Sequence, residues 1–186
     1  ALNAIAADQP IDLWTQGITL FANLPYSATS TYNGFAGDSI NFQVTTADLA
    51  HTVLTTGLIT LHGEADHTLV ALDYVTQTQT LLLVDDNRLP AWGKARVRFV
   101  NAAPNVGAVD VLVQGTAQFN TVAFKNASTY AELTGSTVTI EVRDHATQSV
   151  LLTLPNVNVI DGYVYTWFLL GVNGGSPALQ LVSTVD

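Results

Sequence analysis

The chain repeats itself. Sliding it by 98 positions aligns Asn3–Val84 with Asn101–Val182 without a gap, and roughly one pair in five is identical. Asp12 meets Asp110, Gln16-Gly17 meets Gln114-Gly115, Phe21 meets Phe119, and Ser30-Thr31-Tyr32 meets Ser128-Thr129-Tyr130. A register held that long marks a tandem duplication. It predicts two units of about 90 residues, each within the size range of an independently folding domain. The expected boundaries are residues 1–86 for the first unit, 87–94 for a linker punctuated by Pro90 and Gly93, and 95–186 for the second. Trp92 in the linker is expected to pack, between the domains or on the surface of one of them.

Each unit reads as strands. "ARVRFVN", "VDVLVQG" and "STVTIEVRD" alternate apolar and polar residues, and turn signals recur at Gly115, Gly135, Asp161-Gly162 and Gly174-Gly175-Ser176-Pro177. No segment carries a helical period. Short strands at this spacing predict an all-β chain of two tandem antiparallel β-sandwich domains, immunoglobulin-like in architecture. Val109, Val111 and Val113 share the inward face of their strand, with Asp110 and Leu112 opposite. Asp12 and Asp110, placed alike in both copies, are read as scaffold: an Asp near a strand start accepts hydrogen bonds from turn amides. Tyr32 and Tyr130 are expected to bury their rings and bond their hydroxyls to backbone.

Composition narrows the function. The net charge is −9 with only six Lys plus Arg, too few for the basic patch that nucleic acid or an anionic membrane requires. No apolar run approaches the roughly 18 residues that cross a bilayer, so membrane insertion is not expected. Cys and Met are absent, which rules out disulfides and thiolate chemistry and suits a life outside the cell. The start "ALNAIAAD" reads as a processed end, compatible with secretion.

The stretch "RVRFVNAAPNVGAVDVLVQG" resembles a secreted prokaryotic family, catalogued as a domain of unknown function, of tandem immunoglobulin- or transthyretin-like sandwich repeats. The matching residues are Arg98, Asn101, Ala102, Pro104, Val109, Asp110, Val111, Val113 and Gly115, an Arg-x-x-Asn-Ala-x-Pro segment leading into Val-Asp-Val-x-Val-x-Gly. The first copy keeps Asn3, Ala4, Asp12 and Gly17, with Ala6 in place of the proline. The resemblance implies an extracellular, cell-surface location and a sandwich architecture. It implies no catalytic residues.

The search for chemistry finds little. His62, Glu64, Asp66 and His67 in "HGEADH" could ligate Zn²⁺, but the spacing is not that of a helical His-Glu-x-x-His site, and the second copy has no histidine there. The segment reads instead as a polar hairpin loop. Asp85-Asp86-Asn87 offers hard oxygen donors suited to Ca²⁺, against the reading of a solvated linker, which is preferred. No Gly-x-Ser-x-Gly elbow and no phosphate-cradling loop is present. Catalytic residues and bound cofactors are therefore not expected, and the protein reads as a non-enzyme. Asn126-Ala127-Ser128 is an N-glycosylation sequon.

The second unit opens with the full strand "ARVRFVN", whereas the first opens at the position of Phe99, so its first strand is expected to be truncated. A sandwich short of a strand exposes an edge that recruits strands from other chains. The expectation is thus a structural protein, a self-assembling surface or filament subunit whose partners are copies of itself. The alternative is an adhesin that holds a glycan or a cell-surface partner through Trp14, Tyr74 and Trp92.

Overall fold

The computed structural model describes residues 1–34, 39–47, 52–61, 63 and 65–186. The chain divides into two compact units, Ala1–Asp86 and Asn87–Asp186. In the first, the strands are β1 (Leu2–Ile5), β2 (Ile11–Thr15), β3 (Ile18–Leu24), β4 (Ser39–Ile40), β5 (Gln43–Thr46), β6 (Thr52–Thr55), β7 (Ile59–Thr60), β8 (Asp66–Asp73) and β9 (Gln79–Asp85). One sheet runs β1-β8-β9 and another β3-β2-β5-β6, with β4 paired to β7. The second unit has β10 (Lys94–Asn101), β11 (Val109–Val113), β12 (Thr116–Val122), β13 (Asn126–Ala127), β14 (Ala131–Thr134), β15 (Ser136–Asp144), β16 (Val150–Val159), β17 (Val164–Leu170) and β18 (Gln180–Val185). Its sheets run β13-β10-β17-β18, with β14 also on β10, and β12-β11-β15-β16.

The all-β, sandwich-like reading holds. In the second unit Val97, Phe99, Trp167 and Leu169 of one sheet share a core with Val109, Val111, Ile140 and Val142 of the other. These are the inward positions of the sequence alternation, and all lie within 1% of full burial. Burying side chains of this size contributes about 1.5–3 kcal/mol each before chain entropy is subtracted.

Two details depart from expectation. The sheets are not wholly antiparallel: β1 pairs with β8, and β10 with β17, in parallel. Parallel neighbours need a crossover connection, and the whole second sheet of each unit serves as one. The duplication also contains a gap. Thr68 lies opposite Leu83, while its counterpart Thr166 lies opposite Thr184, so the offset rises from 98 to 101 in the last strand. The extra residues lie in the connection between β17 and β18. The structural counterpart of Asp85 is therefore Asp186.

The repeated "TQG" and "VQG" are turns. Gln16 and Gly17 have φ of 48° and 77°, Gln114 and Gly115 have φ of 51° and 76°, and each pair closes a two-residue hairpin. Positive φ at both central residues gives a turn whose twist matches the flanking strands, and glycine reaches it without steric cost.

Candidate functional site

Scaffold explains the residues that the two copies share. Asn3 Nδ2 donates to the carbonyls of Gln9 (3.0 Å) and Leu24 (3.1 Å), and its Oδ1 accepts from the Ile5 amide. Asn101 repeats all three bonds, to Gly107 O, Val122 O and from Ala103 N. Asp12 accepts from the Asn23 amide at 2.6 Å and Asp110 from the Thr121 amide at 2.8 Å. Both donors have positive φ beside a shift in strand register, so each carboxylate pins a bulge, in line with the turn-amide reading.

The informative feature is where the copies differ. In the second unit β10 pairs with β17 from Arg96 to Asn101. Ala95, Val97 and Phe99 point into the core and are fully buried. Phe99 lies on Phe119, with ring centroids 6.2 Å apart and planes 22° from parallel. On the opposite face Arg96 and Arg98 lie over the Tyr130 ring, 4.7 and 5.0 Å from its centroid. There Arg98 Nε donates to Thr166 Oγ1 at 2.7 Å, and its guanidinium is 3.7 Å from Asp186. Tyr130 and Thr166 donate to the same carboxylate at 2.6 and 2.7 Å. A buried arginine is tolerated because these acceptors and the ring replace its water.

The first unit keeps the receiving half of this arrangement. Tyr32 and Thr68 both donate to Asp85 at 2.8 Å, as Tyr130 and Thr166 do to Asp186. Tyr32 and Tyr130 thus bond to carboxylates rather than to backbone, and Tyr32 is 51% exposed rather than buried. The Ala1 nitrogen donates to Ser30 Oγ at 2.8 Å, the bond that the Phe99 amide makes to Ser128. Pairing of β1 with β8 runs only from Val70 to Asp73. Beside Asp66–Leu69, the positions that Arg96–Phe99 flank on β17, a cavity of about 330 Å³ opens. Leu13, Phe21, Phe42 and Leu69 line it, with Tyr32 and Asp66 also on its wall. Phe21 is the counterpart of Phe119 and is only partly buried, with Ala1 at the position of Phe99.

The metal candidates lie only in part among the described residues. His62 and Glu64 lie outside the described residues. Asp66 and His67 are consecutive residues of β8 and so point to opposite faces of it. Asp85 is buried at the end of β9 with two hydroxyls on it, and only Asp86 and Asn87 keep the character of a solvated segment. Among the described residues no group of three His, Asp or Glu gathers as a ligand set. Trp14 on β2 donates through Nε1 to Thr45, Tyr74 follows β8, and Trp92 is fully exposed rather than packed. Ala91 N donates to Glu132, and Arg96 to the Arg88 carbonyl, so residues 87–94 are tied to the second unit.

Sequence reasoning missed one polar cluster. His145 Nδ1 lies 2.9 Å from Asp110, and Gln148 Nε2 donates to Asp110 at 2.9 Å. Burial pushes the Asp110 carboxyl up, but the bonds from Gln148, the Thr121 amide and His145 outweigh it and hold the pKa below the usual carboxylate range. Thr121 Oγ1 sits 3.5 and 3.4 Å from the two ring nitrogens of His145, nearly equidistant and thus not in line with either lone pair. A nucleophile would need that alignment. The cluster closes the turn after β15 around the bulge-pinning aspartate.

The family described as "Domain of unknown function (DUF4397)" matches residues 1–112 and 104–186. The chain belongs to this family. The two matched segments together cover both units of this DUF4397 chain, in keeping with its internal repeat. No curated protein matches the chain.

Proposed function

We propose that this DUF4397 protein is a non-enzymatic extracellular structural protein, a self-assembling surface or filament subunit joined by β-strand or edge contacts. The observation that carries the reading is the set of sheet edges: among the described strands β9 and β18 each end their sheet and so offer backbone groups along one side. An edge strand is a template on which a strand of another chain can pair. When the surface that donates differs from the surface that accepts, contacts run head to tail and build filaments. The low charge content, 11% Asp, Glu, Lys and Arg, suits closely packed β assemblies. Sedimentation velocity over a wide concentration range, followed by electron microscopy, tests the reading. Growth into regular filaments is expected; a monomer at every concentration refutes it.

One observation favours the alternative of an adhesin for a glycan or surface partner: Trp92 is fully exposed, with Leu89 81% exposed beside it. Lone exposed aromatics are common at recognition surfaces. Quenching or a shift of Trp92 fluorescence on titration with oligosaccharides would support it, and an unchanged spectrum across a glycan panel would remove it.

A further inference from the structure

We propose that β18 pairs antiparallel with β18 of a second copy of the protein, across a two-fold axis through Ser183, so that the sheet β13-β10-β17-β18 continues into its partner. This rests on the self-assembly reading above and specifies one of its contacts; a second, different contact then links such pairs into longer assemblies.

The edges of the second unit are not alike. β12 pairs with β11 through two shifts of register, and Thr121 within it has φ of 56°. β16 pairs with β15 through two more, contains Pro155 and holds Asn156 at φ of 60°. The far side of β10 is divided between the short strands β13 and β14. Bulges, proline and short strands blunt an edge against further pairing. β18 has none of these devices. Gln180–Val185 matches Tyr165–Leu170 over six consecutive pairs without a shift, and it contains no proline, glycine or charged residue.

The register fixes which backbone groups the edge offers. The Asp186 amide donates to the Val164 carbonyl at 3.0 Å, one step beyond the Tyr165–Val185 pair. Peptide groups alternate in direction along a strand, so Gln180, Val182 and Thr184 bond to β17, and the N–H and C=O of Leu181, Ser183 and Val185 face away from it. Two β18 strands set antiparallel with Ser183 opposite Ser183 bring these outward residues together as Leu181–Val185, Ser183–Ser183 and Val185–Leu181. Each pair exchanges two hydrogen bonds, about six in all. A slip of one residue sets outward groups against inward ones, and a slip of two carries one pair past the end of the strand. In the centred register apolar side chains meet apolar ones and the two serine hydroxyls meet each other, so the strand is complementary to itself. Charge points to the same partner. A two-fold contact sets each group near the axis against its own copy, which a protein of net charge −9 accommodates best along a neutral strand.

The chain contains no cysteine, so Ser183→Cys reports the contact directly. A hydrogen-bonded antiparallel pair sets its Cα atoms about 5.5 Å apart, within disulfide reach. Under mild oxidation, at concentrations where the wild type associates, Ser183→Cys is expected to become mainly a covalent dimer, while Thr153→Cys, exposed on β16, stays uncrosslinked. Ser183→Pro removes an N–H that faces away from β17 and so spares the ladder within the unit. It is expected to weaken association at least about tenfold, with the thermal midpoint within about 3 °C of wild type. Val185→Lys, at a side chain 54% exposed, places a charge on the edge and is expected to weaken association likewise; it carries the test where the proline variant melts early. Failure of Ser183→Cys to cross-link, or association unchanged by both Ser183→Pro and Val185→Lys, overturns the β18 contact while leaving self-assembly standing. A wild-type protein that stays monomeric at every concentration overturns both.

Discussion

Replacing Asn101 by alanine tests whether the residue shared by both copies is scaffold. Asn101 is fully buried and makes three hydrogen bonds: from Nδ2 to Gly107 O at 2.8 Å and Val122 O at 3.1 Å, and to Oδ1 from Ala103 N at 3.2 Å. Alanine leaves two carbonyls and one amide without these partners in a site closed to water. At about 1 kcal/mol for each net bond, the loss is about 3 kcal/mol, and more if the orphaned groups stay dry. A domain of this size has about 5–15 kcal/mol to lose, so the variant still folds, with its midpoint lowered by roughly 10–20 °C. Urea unfolding followed by tryptophan fluorescence reads the effect, because Trp167 is buried in the second unit and Trp14 is partly buried in the first. Asn3→Ala removes the matching bonds and is expected to lower the transition seen by Trp14 by a similar amount. A loss below about 1 kcal/mol in the Asn101 variant, at unchanged denaturant dependence, would refute the scaffold argument.

Two further outcomes follow from local geometry. Gly171 has φ +90°, and a Cβ there would lie 2.2 Å from the Ala178 carbonyl oxygen, whereas Gly115 has φ +76° and open space. Gly115→Ala is expected to cost about 1 kcal/mol through backbone strain alone, and Gly171→Ala about 3 kcal/mol because backbone must also move; equal losses in thermal melts would show that the clash is relieved for free. Asp110 has its carboxyl pKa held below the usual range, so its contribution is complete above the unfolded value near 3.9 and disappears as pH falls through the lower folded value. Wild type and Asp110→Asn should therefore differ in stability above about pH 5 and converge toward pH 2, and a gap that stays constant across that range would remove the carboxylate from the account.

Periodicity made the strands legible because each core position is a local property: Val109, Val111 and Val113 alternate in sequence and all enter the core. What stayed hidden depends on long-range pairing. The parallel match of β10 with β17 joins residues about 70 positions apart, and alternation carries no sign of strand direction. The three-residue gap was masked because Leu81, Leu83 and Val84 align by chance with the similar residues Leu179, Leu181 and Val182. That false register hid the equivalence of Asp85 with Asp186, and so made Asp85 look like a linker ligand. The pairing of His145 with Asp110 has no local signal, because the two lie 35 positions apart. With the register corrected, Asp85 and Asp186 become the same element, a carboxylate that accepts from one tyrosine and one threonine in each unit.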